Sequence, residues 1–198
     1  MHSIGSDSID EVMSRSEACA RLLELPDNQV GEILGGELVV RPRPASPHAL
    51  AVATLHMDLG SAFHRGRGGP GGWWILVEPE LHLGDDVLVP DLAGWRRERM
   101  EAMPEVAAFT MAPDWICEVL SPSTAAIDRI RKMPIYARAG VAFAWLVDPL
   151  ARTLETYELA GTHWRIAGGW VDAERPAAPP FEAIELELEA LWLQPPAP

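Results

Sequence analysis

The chain is almost without lysine. Of its 16 basic side chains fifteen are arginine, and Lys132 is the only lysine among 198 residues. It is also poor in positive charge overall: 29 acidic side chains leave a formal net charge of −13. That balance argues against a general nucleic-acid coat protein, whose affinity rests on a basic footprint. Cysteine is scarce too. Cys19 and Cys117 stand far apart with no CxxC spacing, so neither a disulfide framework nor a zinc or thiol-redox motif is indicated. No apolar run approaches the roughly 18 residues of a membrane helix, and Met1 to Asp10 has neither the basic nor the apolar region of a secretory signal. These absences predict a cytoplasmic protein in a reducing compartment, with no membrane contact.

What is present is globular. A hydrophobic fraction of 48% with 23% charged residues is that of a folded chain, and the length suits one domain with a sizeable core. The acidity is uneven. Residues 41–140 hold 12 acids and 11 bases, net −1, whereas the two ends together carry −12. The middle can therefore still meet a polyanion, above all with a divalent metal present.

Local patterns predict the elements. Ser16–Leu25 reads as a helix with Ser14 or Ser16 as cap. Val30–Val40 reads as a hairpin about Gly35-Gly36. Ser46-Pro47 is a helix start, and the helix runs to His64. The glycine-rich stretch Gly66–Gly72 reads as a mobile surface loop. Strand-like runs follow at Trp73–Glu78, Glu80–Leu83 and Val87–Leu92, the last interrupted by Pro90-Asp91. Arg96–Glu105 reads as a short helix or an exposed excursion. Asp114–Leu120 is a buried strand, Thr124–Ala139 a helix bent at Pro134, and Val141–Val147 another buried strand. Arg152–Leu159 with His163–Ile166 forms a hairpin, and Ile184–Leu188 a last strand. No repeat or linker is visible. The fold class is α/β, a single domain with one mixed β-sheet, in which the helix between Asp114–Leu120 and Val141–Val147 makes a parallel crossover.

One constellation carries chemistry. Pro90-Asp91 closes one apolar run, Glu118 lies inside the next, and Asp128 and Lys132 follow on the helix. Alternation puts Asp114, Ile116, Glu118 and Leu120 on one strand face and Trp115, Cys117 and Val119 on the other. A carboxylate inside an apolar strand must be paired, protonated or bound to metal. Asp128 and Lys132, four apart, share a helix face. Each feature alone has a plainer reading, as a salt bridge or a solvated pair. Together, two hard carboxylates suit Mg²⁺ or Mn²⁺, and a nearby ammonium suits the charge that builds on phosphoryl oxygens during phosphodiester hydrolysis.

The order of motifs also resembles a known family. GEILGGELVVRPRP with His48 after it, EPELHLGDDVLVPDLAGWRRER, PDWICEVLSPST, DRIRKMPIYARAGV and FAWLVDP together resemble the bacterial Uma-two family of restriction-endonuclease-like proteins, within the PD-(D/E)XK nuclease superfamily. The resemblance covers about residues 20–192. It implies a restriction-endonuclease-like core with added β-hairpins, spanning 16–192 between tails 1–15 and 193–198. It also implies a metal-dependent endonuclease acting on nucleic acid, DNA before RNA; a homodimer is expected because double-strand cleavage commonly needs two sites. Asp91 corresponds to the PD aspartate and Glu118 to the second metal carboxylate. The superfamily lysine two residues after the glutamate is replaced here by Leu120, and Lys132 on the following helix takes its place. Glu80 corresponds to a further acidic position and is a third candidate metal ligand, while Glu32, His48 and Asp128 are candidate assisting residues. The alternative is a catalytically inactive nucleic-acid- or protein-binding module on the same fold.

Other polar residues carry less. His48, His56 and His64 are spaced by eight, which is no helical metal pair. Arg96, Arg97 and Arg99 could meet phosphates or form a solvated turn. Gly66–Gly72 lacks the lysine of a phosphate loop, Ser121 and Ser123 have no base at fixed spacing, and the eight tryptophans fit core packing better than base stacking.

Overall fold

In this computed structural model residues 15–26, 29–42 and 45–194 are described; the expected cap Ser14 and the chain ends beyond these limits lie outside them. The elements in chain order are α1 (Arg15–Leu23), β1 (Gln29–Leu34), β2 (Glu37–Pro42) and α2 (Ser46–Leu59), which continues as a π-helical turn, Gly60–His64. Then come β3 (Trp73–Val77), β4 (Leu81–Leu83), β5 (Asp86–Leu88), β6 (Leu92–Arg96) and β7 (Trp115–Val119). A broken helix follows: α3 (Ala125–Ile127), a π-helical turn (Asp128–Lys132) and α4 (Met133–Arg138). Strands β8 (Phe143–Asp148), β9 (Thr153–Ala160) and β10 (His163–Val171) and a 3₁₀ turn (Leu188–Leu191) complete the chain. No described helix is long and apolar enough to cross a membrane.

The strands form two sheets, where the sequence suggests one. The larger is mixed, in the order β10-β9-β8-β7-β6-β3, and the smaller is β2-β1-β5-β4. β7 and β8 are parallel, joined by the expected helical crossover, and the other neighbours in the large sheet are antiparallel. The run Val87–Leu92 is the point of divergence. Pro90 has no N–H to continue a ladder, so the chain leaves the small sheet at Leu88 and enters the large one at Leu92. Asp91 thus precedes a strand rather than closing one. Arg96–Glu105 contains no helix; Arg96 ends β6 and a single turn follows. Ile184–Leu188 forms no strand: Leu186 and Leu188 donate to the carbonyls of Pro176 and Glu174, Leu188 opens the 3₁₀ turn, and the Pro-rich segment 176–180 lacks the N–H groups to sustain pairing.

The alternation in β7 decides the layers. Trp115, Cys117 and Val119 face one core with α2 and the C-terminal segment, while Ile116 and Leu120 face another with α4 and the small sheet. Phe181 is the hub of the first core. Its ring centroid lies 4.6 Å from Phe63, 4.9 Å from Trp73 and Trp115, and 5.6 Å from Trp145, in tilted or edge-on contacts. The buried tryptophans are core residues, as their strand contexts suggest. We expect Phe181→Ala to lower unfolding free energy by about 3–5 kcal/mol in urea titration. A loss under about 1 kcal/mol would show that the ring cluster does not organise this layer.

Candidate active site

Register brings the acids together. β6 and β7 pair antiparallel with Leu92 opposite Cys117, so the residue before Leu92 falls beside the residue after Cys117. Asp91 accordingly reaches β7, where its Oδ2 accepts the Val119 N–H at 2.6 Å. Its other oxygen, Oδ1, lies 3.0 Å from His48 Nε2 at the start of α2. Glu118 points to the opposite side of β7 from Cys117, toward the broken helix, and only 1% of it is exposed.

Lys132 meets Glu118 there. Its ammonium is 0% exposed and stands 2.7 Å from Glu118 Oε1, 2.9 Å from Glu32 Oε1 and 3.6 Å from Asp128 Oδ1. These are ion pairs rather than aligned hydrogen bonds, so the ammonium's attraction to its neighbours is mainly Coulombic. The π-helical turn Asp128–Lys132 turns both of its end residues inward. Its intervening residues go elsewhere: Arg129 forks onto Glu155 of β9 at 2.9 and 3.0 Å, and Arg131 holds the Leu34 carbonyl and Glu37 in the small sheet.

The small sheet supplies the rest. Glu32 accepts Val89 N–H at 2.8 Å and an Arg41 N–H at 2.6 Å. Arg41 lies two residues along β2 from Val39, the partner of Glu32, so both side chains lie on one face. Two site residues have no counterpart among the sequence candidates. Arg41 is one; the other is Tyr136, fully buried, whose hydroxyl donates to Glu118 Oε1 at 2.6 Å. Tyr136 lies four residues after Lys132, and that spacing was its one sequence signal.

Glu80 is not part of the cluster. It alternates with His82 about the buried Leu81 of edge strand β4, and its carboxylate lies outward, 2.7 Å from His82 Nε2. Glu78, although further from Asp91 along the chain than Glu80, is in contact with it. It lines a cavity of about 400 Å³ with Asp91, Arg41 and Ser121–Thr124, and its N–H donates to the Asp91 carbonyl.

Charge in the cluster does not balance. Asp91, Glu32, Glu118 and Asp128 face Arg41 and Lys132, four carboxylates against two cations. Burial raises the Glu118 pKa, with Asp128, Asp91 and Glu32 adding to the rise against the pull of Lys132. Burial opposes the charge on Lys132, but Glu118, Glu32 and Asp128 outweigh it and hold the lysine above its ordinary range. Burial likewise raises Asp128. Among the described residues no three His, Cys, Asp or Glu side chains form a metal cage. A two-carboxylate donor set fits Mg²⁺, which is commonly held by one or two carboxylates plus water and phosphate oxygens.

A sequence profile of the Uma2 family, described as "Putative restriction endonuclease", matches residues 19–190. Among solved structures, one described as a "putative nuclease belonging to DUF820 from Anabaena variabilis" is similar in fold. Its TM-score is 0.70 at 21% sequence identity, over 90% of this chain and 97% of that one. No curated protein matches the chain.

The charge cluster makes a stability prediction. Lys132→Met leaves four buried acids with only Arg41, and we expect a loss of about 3–5 kcal/mol in urea unfolding. Adding Glu118→Gln to that variant should recover part of the loss. Strictly additive losses would mean that Lys132 and Glu118 are not coupled.

Proposed function

The chain belongs to the Uma2 family, and from that membership and the meeting of Asp91, Glu118 and Lys132 we propose that it is a metal-dependent endonuclease hydrolysing phosphodiester bonds, with DNA as the first substrate class. The observation that carries this reading is the register of β6 on β7, which sets a proline-preceded aspartate beside a buried glutamate with an ammonium 2.7 Å behind it. Asp91 and Glu118 are the residues that would hold Mg²⁺ or Mn²⁺, which when bound supplies positive charge to a phosphate oxygen and acidifies water.

The chain's own groups have distinct tasks. Asp91 is fixed from two sides, by the Val119 N–H and by His48, so its carboxylate is set before substrate arrives. Tyr136 and Lys132 both hold Oε1 of Glu118 and orient its carboxylate. Lys132, wholly buried behind Glu118, would add positive potential to the site through that carboxylate. Arg41, on the wall of the Asp91 cavity, is placed to meet a non-bridging phosphate oxygen. In hydrolysis, water oxygen bonds to phosphorus, the bond to the leaving sugar oxygen breaks, and that oxygen ends protonated. Cleavage of both strands of a duplex requires two such sites, so the reading includes a homodimer.

Plasmid and single-stranded DNA incubated with Mg²⁺ or Mn²⁺ test the proposal. We expect Asp91→Asn and Glu118→Gln each to reduce cleavage by at least about 100-fold, and Lys132→Arg to abolish the advantage of a compact ammonium. Calorimetry should find Mn²⁺ binding that Asp91→Asn weakens. Equal cleavage by the wild-type chain and Asp91→Asn, with no Mn²⁺ uptake by either, would favour a binding module on the same fold.

A further inference from the structure

The glycine-rich loop is hydrogen-bonded to the π-helical turn Gly60–His64. Arg67 N–H donates to the Ser61 carbonyl at 2.8 Å, Ser61 Oγ to the Arg67 carbonyl at 3.1 Å, and Gly71 N–H to the Ala62 carbonyl at 2.9 Å. Gly69 packs so closely on the π-helical turn that a Cβ there would lie 2.7 Å from Ala62 Cβ. Arg97 clamps the same turn: it donates to the His64 carbonyl at 2.9 Å and stacks on Trp74 at 3.9 Å. This scaffold projects Arg65 and Arg67 into solvent, and neither makes an ion pair among the described residues.

The two arginines border a groove of about 670 Å³ along the outer edge of β3, lined also by His56, His64 and the strand from Ile75 to Val77. In a chain with 29 acids, none falls between Gly60 and Val77 or between Leu92 and Arg97. The nearest acid on α2, Asp58, is two residues from His56, about 200° around the helix, and its carboxyl is raised by burial and by Glu187 of the acidic C-terminal segment. The negative excess thus lies on the other face of α2. An added β-strand does not fit this edge, because His64 Nδ1 already accepts the Ile75 N–H at 3.1 Å.

The groove and the Asp91 cavity are lined by neighbouring residues of the chain. Val77 lines the groove, and the next residue, Glu78, lines the cavity that holds Asp91. Ile75 to Glu78 spans about 10 Å at roughly 3.3 Å per strand residue. A nucleic-acid strand advances about 3.4 Å along its axis per phosphate, so about three phosphates cover that length.

We propose that this β3-edge groove binds a nucleic-acid phosphate backbone through Arg65 and Arg67 and leads it to the Asp91 cavity. The inference rests on the nuclease reading and adds the path by which substrate reaches the site. Guanidinium forks on a rigid loop suit phosphate oxygens, and the loop's shape explains arginine and glycine alternating there.

The test is anisotropy of a fluorescein-labelled DNA duplex with the full chain in chelator, titrated over a range of salt. We expect Arg65→Ala/Arg67→Ala to weaken binding at least about tenfold and to lower the slope of log affinity against log salt by about 2. Arg138→Ala, an exposed arginine engaged with Asp86, should bind as the wild type does. An unchanged affinity and slope in the double variant overturns the groove, as does a wild-type chain that binds no DNA. Unchanged binding in a chain whose cleavage depends on Asp91 would remove the groove and keep the nuclease. Weakened binding in a chain that never cleaves would keep the groove and remove the nuclease.

Discussion

A lysine ammonium taken wholly out of water must be surrounded by anions or give up its proton. Lys132 keeps its charge because three elements each bring it a carboxylate: Glu32 from β1, Glu118 from β7 and Asp128 from its own helical turn. These elements belong to the small sheet, the large sheet and the crossover between β7 and β8. The ammonium is therefore the junction at which the two sheets are held in one arrangement. The apolar layer about it, with Ile116, Leu120, Tyr136 and Leu146, excludes the water that would weaken those attractions.

The π-helical turn makes the junction possible. Pro134 lacks the N–H that would hold the turn before it in α-helical register, and the wider turn Asp128–Lys132 occupies that place. Both end residues face inward as a result, while Arg129 and Arg131 reach the sheets on either side. Ile130, between them, is left 74% exposed. Five consecutive residues thus tie the crossover to β9, to the hairpin and to the buried acids, which is an uncommon use of an irregular helix and a frequent one at functional sites.

Local pattern made much of this legible. The two-residue alternation of Asp114–Leu120 separated the Trp115–Cys117–Val119 face from the Ile116–Glu118–Leu120 face correctly, and the length of the crossover implied parallel β7 and β8. The solitary lysine lies on the same cluster as Glu118 and Asp128, two of the acids singled out with it. The small sheet was not legible, because β1 pairs with β5 across more than fifty residues and nothing local encodes that contact. Arg41 lies just beyond the predicted hairpin limit of Val40, so its pairing with Glu32 across that hairpin was not read. A motif position fixes sequence and not side-chain direction: Glu80, just before β4, lies outward beside His82 and away from the buried acids.

The unbalanced cluster sets stability against function. Four carboxylates held by two cations would be better satisfied by one proton or one divalent ion, and burial already pushes Glu118 toward the protonated form. Replacing the ionic cluster with apolar side chains of similar volume would ease that strain in many folds. It would also remove the negative charge on which the proposed cation site at Asp91 and Glu118 depends. Arginine does not substitute for Lys132 in this role. A guanidinium is larger and planar, and its fork cannot approach three oxygens converging from three elements as a compact ammonium does. A chain that uses arginine for all its other basic side chains and keeps lysine here is consistent with a position fixed by that geometry.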